Sequence, residues 1–462
     1  MKKALQEFKN TKNVMIGDWV LFIAISVFLF FCFIYVDILY TVSHANNMLS
    51  ELLKGDFLGL YKVNYGLEVC GNFTTICYEL PIYIIFIIWN IPTWIAQNFF
   101  NIDITSNFLS IIWMKTLLIV FLGACAVAVK NICKELKIKE NLIKWVILIF
   151  ISSPLVFSSM FILSQYDIIT LFFMLLGIYS YIKGDYKKFI LWFAIAIPLK
   201  LFALFVFIPL VLLKQKEILK ILKSLVYGLS IFLISRVISM CMPYYYESTY
   251  KFNGKMLNRL LTTSTIEISL GIASLFLVAY LLLCIYCYMK DIKNKEELNK
   301  YAIYIPFASF ALLFLLVYSH PYWLIYTTPF FAILIFMRPR NFKINLILDM
   351  GMSISALISQ IYVFYWCYGA EQVDNMLLPI LFGSNENPYI TVKHLFKLWG
   401  INKYMPAVLA IYCATIIAML IINRPKEGEN FENQIKIERS VIWSRMLIII
   451  PVATLMVACY FM

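Results

Sequence analysis

Thirteen apolar runs divide this chain, near 18–36, 79–96, 108–129, 143–163, 166–182, 189–213, 221–242, 266–289, 301–318, 322–337, 344–366, 403–423 and 441–461. Most have about the twenty residues that an α-helix needs to cross the hydrocarbon core of a bilayer. Inside that core each backbone N–H and C=O must be satisfied within the spanning structure, which selects helices for such runs. The chain is 62% hydrophobic and 14% charged, whereas a soluble domain is about half apolar and a quarter charged. The sequence therefore predicts an all-α, polytopic membrane protein, a single integral membrane domain over 1–462. The 17% aromatic content fits interfacial belts of Trp and Tyr. The net charge of +13 reads as Lys and Arg in cytoplasmic loops that orient the helices, not as a nucleic-acid surface. No small-residue cleavage site follows the first run, so it reads as a signal anchor behind Lys2, Lys3, Lys9 and Lys12.

Loop charge sets the expected topology. A basic N-terminus lies in the cytoplasm, and 18–36 crosses outward. If 79–96 then crossed inward, Lys130 to Lys144 would lie outside, against the positive-inside rule. Pro81, Asn90, Pro92 and Gln97 interrupt 79–96, which suits a juxtamembrane or re-entrant segment. The run 189–213 is broken at Pro198-Leu199-Lys200 and reads as two short helices turning at the outer face. With the other runs as single crossings, the chain crosses thirteen times, and 28 of its 39 Lys and Arg fall inside. The long polar loops 37–107, 243–265 and 367–402 then all face outward.

Eleven cysteines lie mostly within apolar runs, as packing residues do. Cys284 and Cys287 have metal-like spacing but no His partners, and no metal site is expected. Cys70 and Cys77 share the first loop and could form a disulfide in an oxidising compartment. Asn72-Phe73-Thr74 is a glycosylation sequon by pattern.

Ionisable groups in or near a bilayer are costly, which makes each one a functional candidate. Under this topology they gather at the outer interface: Asp37, Glu79, Gln165 with Asp167, Lys200, Arg236, and His320 with Tyr322. A sugar carried on a lipid phosphate needs a base for its acceptor hydroxyl and cations for its phosphate leaving group. Asp37 is the candidate base. Lys200, Arg236 and His320 are the candidate phosphate contacts. Glu79, Gln165, Asp167 and Tyr322 complete the substrate-binding set. Each has a plainer reading: Asp167 could cap its helix, and Lys200 or Arg236 could snorkel to headgroups. Asp56 and Glu68 read as solvated loop charges and His44 as a surface histidine. Lys115 is a weaker outer-facing candidate.

Taken in order, several short motifs resemble the GT-C superfamily of integral membrane glycosyltransferases. They are Asp37 after the first run, Leu53-Lys54-Gly55-Asp56 before Tyr61, Tyr78-Glu79-Leu80-Pro81, Ser153-Pro154, Ser164-Gln165-Tyr166-Asp167, Pro198-Leu199-Lys200 and His320-Pro321-Tyr322. The set is most similar to the polyprenyl-phosphate-sugar-dependent, mannosyltransferase-like branch, with related dolichol-phosphate-mannose enzymes. The resemblance runs from 18 to about 340. It implies a catalytic carboxylate at Asp37, a juxtamembrane segment after the first loop, and a donor-facing Lys200 and His320. It also implies a polyprenyl- or dolichyl-phosphate sugar as donor, no cofactor (with a divalent metal left open), and a glycan, lipid or protein acceptor. Ser164 stands where relatives carry Gly. Glu79-Leu80-Pro81 stands where they often have Tyr-Pro-Pro, and Pro321 where they have an Arg near Tyr322. The expected setting is a bacterial plasma membrane with an extracytoplasmic active site. A lipid-linked saccharide polymerase or ligase, or a flippase, is the alternative. The flippase fits less well, because the polar set is one-sided and no internal repeat is visible.

Overall fold

The computed structural model describes residues 13–368, 373–383, 390–426 and 437–462. Lys2, Lys3, Lys9 and Lys12, and parts of the 367–402 loop, lie outside the described residues. The described residues are 77% helical. The chain opens with α1 (Ile16–Cys32), a short strand β1 (Phe33–Tyr35) and α2 (Val36–Leu53). The hairpin β2 (Leu67–Val69) and β3 (Asn72–Thr74) precedes α3 (Leu80–Trp89), α4 (Ile91–Phe100), α5 (Phe108–Glu135) and α6 (Glu140–Ile151). Next come α7 (Asp167–Lys183), α8 (Tyr186–Leu199), α9 (Leu204–Lys214), α10 (Ile218–Met240) and α11 (Lys251–Thr262). A second hairpin, β4 (Thr265–Ile268) and β5 (Gly271–Ser274), leads into α12 (Leu275–Met289), α13 (Lys295–Leu316), α14 (Thr328–Met337) and α15 (Phe342–Val363). The strand β6 (Val373–Asn375) is followed by α16 (Leu378–Phe382), α17 (Val392–Leu398), α18 (Met405–Asn423), α19 (Arg439–Leu447) and α20 (Ile449–Tyr460).

Six helical stretches among the described residues are long and apolar enough to cross a membrane: α5, α10, α13, α15, Ile401–Asn423 and Arg439–Tyr460. Two bent pairs bring the number to eight if each is one span. Apolar side chains such as Leu109, Val226, Val237, Ile411 and Ile421 stand exposed along these helices. Such surface suits lipid, where an outward Leu or Ile costs nothing.

Two helix breaks fall at interruptions foreseen in the sequence, in 79–96 and 189–213, and a third falls inside 143–163, expected as a single crossing. α3 and α4 meet at Asn90 with a bend of 67°. α6 and the stretch Pro154–Ile162 bend by 43° across Ser152 and Ser153, and Phe157–Ile162 is a π-helical turn. Pro198 cannot donate a helical hydrogen bond, and α8 ends one residue later, at Leu199. Two segments depart from the expected all-helical form. The run 266–289 begins as a hairpin, because Gly271 takes a φ of 131° and β-branched Ile266, Ile268 and Ile272 favour strands. The first run ends at Cys32, where β1 pairs antiparallel with β6 and fixes the backbone ahead of Asp37.

Three charges read as topological or functional turn out to be structural. Arg439 lies against Asp18, with Nε 2.8 Å from Oδ1, and Asp18 also accepts from Trp443 Nε1 at 2.7 Å and from the backbone N–H of Met15 at 2.8 Å. Arg445 pairs with Asp349 and donates to the Ile149 carbonyl at 2.9 Å. Both arginines are buried, so neither is a loop charge. The Lys115 ammonium is fully buried and donates to the Phe30 and Phe33 carbonyls. It caps the C-terminal end of α1, where cations are favoured.

Candidate functional site

Asp37 occupies the first turn of α2, where the helix dipole favours a carboxylate. Gln165 Nε2 donates to Asp37 Oδ2 at 2.9 Å. Thr41, one turn on, donates to the Asp37 carbonyl at 2.9 Å, and its Oγ1 lies 3.0 Å from the Tyr166 hydroxyl. Asp37 is densely surrounded yet keeps some accessible surface. Burial raises its carboxyl above the ordinary value; the Gln165 hydrogen bond and the Lys200 charge pull it back, and Asp167 pushes it up. A carboxylate raised in this way is a better proton acceptor than a solvated one.

Gln165 and Asp167 reach this spot from a strained turn. Ser164 has a φ of 46°, a left-handed conformation that glycine adopts without penalty and serine does not. That accounts for the Gly expected here by resemblance. Asp167 opens α7 but does not cap it. It is fully buried, and its Oδ1 lies 2.7 Å from Lys200 Nζ. This is a close ion pair with poor hydrogen-bond alignment, so both Asp167 oxygens and the ammonium lack a well-directed partner. Lys200 takes an extended conformation in the break between α8 and α9 (φ −160°, ψ 124°), which projects it clear of both helices. Its ammonium sits 5.6 to 5.9 Å from the rings of Tyr78, Tyr166, Tyr322 and Trp323. Each such contact is worth about 0.5–2 kcal/mol when shielded from water.

A cavity of about 100 Å³ opens on the far side of Lys200. Glu79, Lys200, His320 and Tyr322 line it together with Tyr78, Asn253 and Trp323. Glu79 accepts from the Tyr245 hydroxyl at 3.0 Å and from Asn253 Nδ2 at 3.3 Å. Burial raises its carboxyl, while the Tyr245 hydrogen bond and the Arg236 charge lower it. The Arg236 guanidinium stacks over Tyr250 (4.9 Å) and Phe232 (5.3 Å) and does not line the cavity.

His320 corrects its expected role. Arg259 Nη1 lies 3.1 Å from His320 Nε2, and arginine has no acceptor, so the imidazole accepts. Burial, then Arg259 and Lys200, hold His320 down at about 3. It is a neutral group, and the cation at this position is Arg259. His44 corrects another reading. It is buried, with Nε2 2.9 Å from Thr74 Oγ1, and burial lowers it to about 4. Cys70 and Cys77 are not joined. Asp56 and Glu68 are exposed loop charges, as expected. Among the described residues no three His, Cys, Asp or Glu side chains form a metal-binding group.

The structure thus brings Asp37, Gln165, Asp167, Lys200 and Tyr322 together, with Glu79 and His320 across the cavity and Arg236 behind Glu79. Sequence reasoning missed Arg259, Asn253 and Tyr245. A signal was present: Phe252, Asn253, Met256 and Arg259 recur at helical spacing, and α11 turns that face to the site. No family model, curated protein or solved structure matches the chain.

Proposed function

We propose that this protein is a membrane glycosyltransferase of the GT-C type that moves mannose or another hexose from a polyprenyl-phosphate donor to an acceptor hydroxyl. Asp37 takes the acceptor proton. The acceptor oxygen attacks the anomeric carbon from the face opposite the phosphate, the bond from that carbon to the phosphate oxygen breaks, and polyprenyl phosphate departs with its electron pair. The configuration inverts. Lys200 and Arg259 offset the charge that grows on the phosphate, and Gln165 holds Asp37 in line.

The observation that carries this reading is Asp37 itself: a raised, partly accessible carboxylate held by Gln165, near a Lys200 ammonium that is buried beside Asp167 without a well-directed hydrogen bond. The apolar groove of about 510 Å³ lined by Phe22, Phe30, Phe31, Ile119, Val120 and Phe161 suits the prenyl chain. In this reading the chain crosses thirteen times, its N-terminus is cytoplasmic, 79–96 is juxtamembrane, and the site faces out of a bacterial plasma membrane. The charge distribution along the sequence supports that orientation.

A transfer assay with synthetic polyprenyl-phosphate hexoses, comparing wild type with Asp37→Asn, tests it. General-base loss lowers turnover by about 10²–10⁴-fold. An unfolding midpoint at or above the wild-type value shows that the variant is folded. Transfer by Asp37→Asn at the wild-type rate removes Asp37 from the mechanism.

A further inference from the structure

The 34 residues between α10 and α12, 241–274, have two sides. The inner side of α11 serves the site: Phe252, Asn253 and Met256 line the cavity, and Arg259 meets His320. The outer side carries exposed Lys251 and Lys255, and none of the twelve α11 residues is buried. Ahead of it Tyr244, Tyr246 and Tyr250 are exposed, and Lys251 Nζ sits 5.6 Å over Tyr246. Tyr beside Lys is the side-chain mix of a bilayer interface. The β4–β5 hairpin follows, and it is exposed on both faces: Ile272 (74% exposed) sits opposite Glu267 on one, Ile266 and Ile268 lie on the other, and Leu270 (94%) stands at the tip beside Ser269. Four large aliphatic side chains on ten residues, all about half exposed or more, call for an apolar medium.

Continuity with α12 identifies that medium. α12 starts directly at the end of β5, and its Val278, Leu281, Leu282 and Ile285 are exposed, a lipid-facing stripe. α12 has 15 residues, about 22 Å at the α-helical rise, most of the roughly 30 Å of a hydrocarbon core, which leaves the hairpin at the end of the helix that meets the membrane surface. The hairpin's outer edges carry unpaired backbone groups, which cannot enter the hydrocarbon core itself. The boundary between headgroups and acyl chains satisfies both demands.

We infer that the β4–β5 hairpin is seated in the lipid boundary of the leaflet on the Asp37 side, with Lys251 and Lys255 against anionic headgroups. α12 runs on from the hairpin into the membrane. α11 is thereby a lid over the cavity whose outer edge is held by the membrane itself. This inference does not depend on the transfer chemistry.

The test uses full-length protein in phosphatidylcholine nanodiscs with and without phosphatidylglycerol, in a Cys70→Ser/Cys241→Ser background. An environment-sensitive NBD label is placed at Leu270→Cys, and a reference label at Asp56→Cys in an exposed loop. The expected result is blue-shifted emission at position 270, quenching by lipids spin-labelled near the top of the acyl chain, and iodide quenching several-fold below that at position 56. Lys251→Gln/Lys255→Gln is expected to abolish any added protection from phosphatidylglycerol. Ile268→Cys repeats the measurement if Leu270→Cys is poorly folded. Equal iodide quenching at positions 270 and 56 overturns the inference. So does a label shielded from iodide but untouched by lipid quenchers, which would assign the hairpin to a second protein copy.

Discussion

Two sets of buried charges stand in this protein, and they are built differently. Around Asp18–Arg439 and Asp349–Arg445 the charged groups are closed: Asp18 accepts from Arg439, Trp443 and Met15, and Arg445 donates to a carboxylate and to a backbone carbonyl. Around Asp37 and Lys200 they are open. Gln165 Oε1, both Asp167 oxygens, Lys200 Nζ, His320 Nδ1 and Trp323 Nε1 are buried without a well-directed partner. Removing charges from water costs several kcal/mol each unless their hydrogen bonds are completed. A closed set recovers that cost and ties distant helices together. An open set recovers it only when something else completes the bonds. The closed charges tie the fold together, and the open ones are those that the proposed function assigns to the substrate.

The largest effect expected from this contrast is on stability. Arg445→Ala leaves Asp349 buried and unpaired, a loss of about 3–5 kcal/mol, read as a lowered unfolding midpoint in detergent. Asp349→Leu/Arg445→Met, which removes both charges, should recover most of that loss. A double variant as unstable as the single one breaks the claim that the pair is closed. On the open side, Arg259→Gln removes one charge-assisted contact worth about 1.5–3 kcal/mol, so donor affinity should fall roughly 10- to 100-fold with stability unchanged. Binding of polyprenyl monophosphate measures it, and equal affinity would place Arg259 outside the site.

The smallest effects concern pH. His320 is held at about 3 in the fold, against about 6.5 in the unfolded chain. Above both values it contributes nothing. As pH falls below the unfolded value, the unfolded state gains a proton that the fold refuses, so stability drops. His320→Gln should flatten that acid limb in thermal melts across pH. Asp37 has a raised folded value, so its ionised form weighs against folding at neutral pH, and the penalty lifts as pH falls through the folded value. Transfer should decline over that same fall.

Much of this was legible in the sequence, for a physical reason. Apolar runs of spanning length become helices because lipid offers their backbone nothing else, and prolines and polar breaks mark the bends at Asn90 and Lys200; the bend at Ser152 lies inside a run that reads as one crossing. Asp37, Gln165, Asp167 and Lys200 stood out because a charge beside an apolar run is rare. The pairings were not legible. Asp18 and Arg439 lie 421 residues apart, and nothing local signals that they meet. Arg439 and Arg445 passed for loop charges because a buried arginine and a cytoplasmic one look alike in sequence. His44 and His320 passed for a surface and a charged histidine because burial is invisible without packing. The β4–β5 hairpin was hidden because its isoleucines fit a spanning helix as well as a strand.

One substitution made on both sides tests the division most directly. Asp18→Asn and Asp37→Asn each remove one carboxylate charge and keep the side chain's shape. Unfolding midpoint and hexose transfer per folded molecule, measured together in nanodiscs, separate the two. The account predicts that Asp18→Asn lowers the midpoint and leaves transfer per folded molecule intact. It predicts that Asp37→Asn keeps or raises the midpoint and abolishes transfer. An Asp37→Asn protein that melts early and still transfers sugar at the wild-type rate would contradict it.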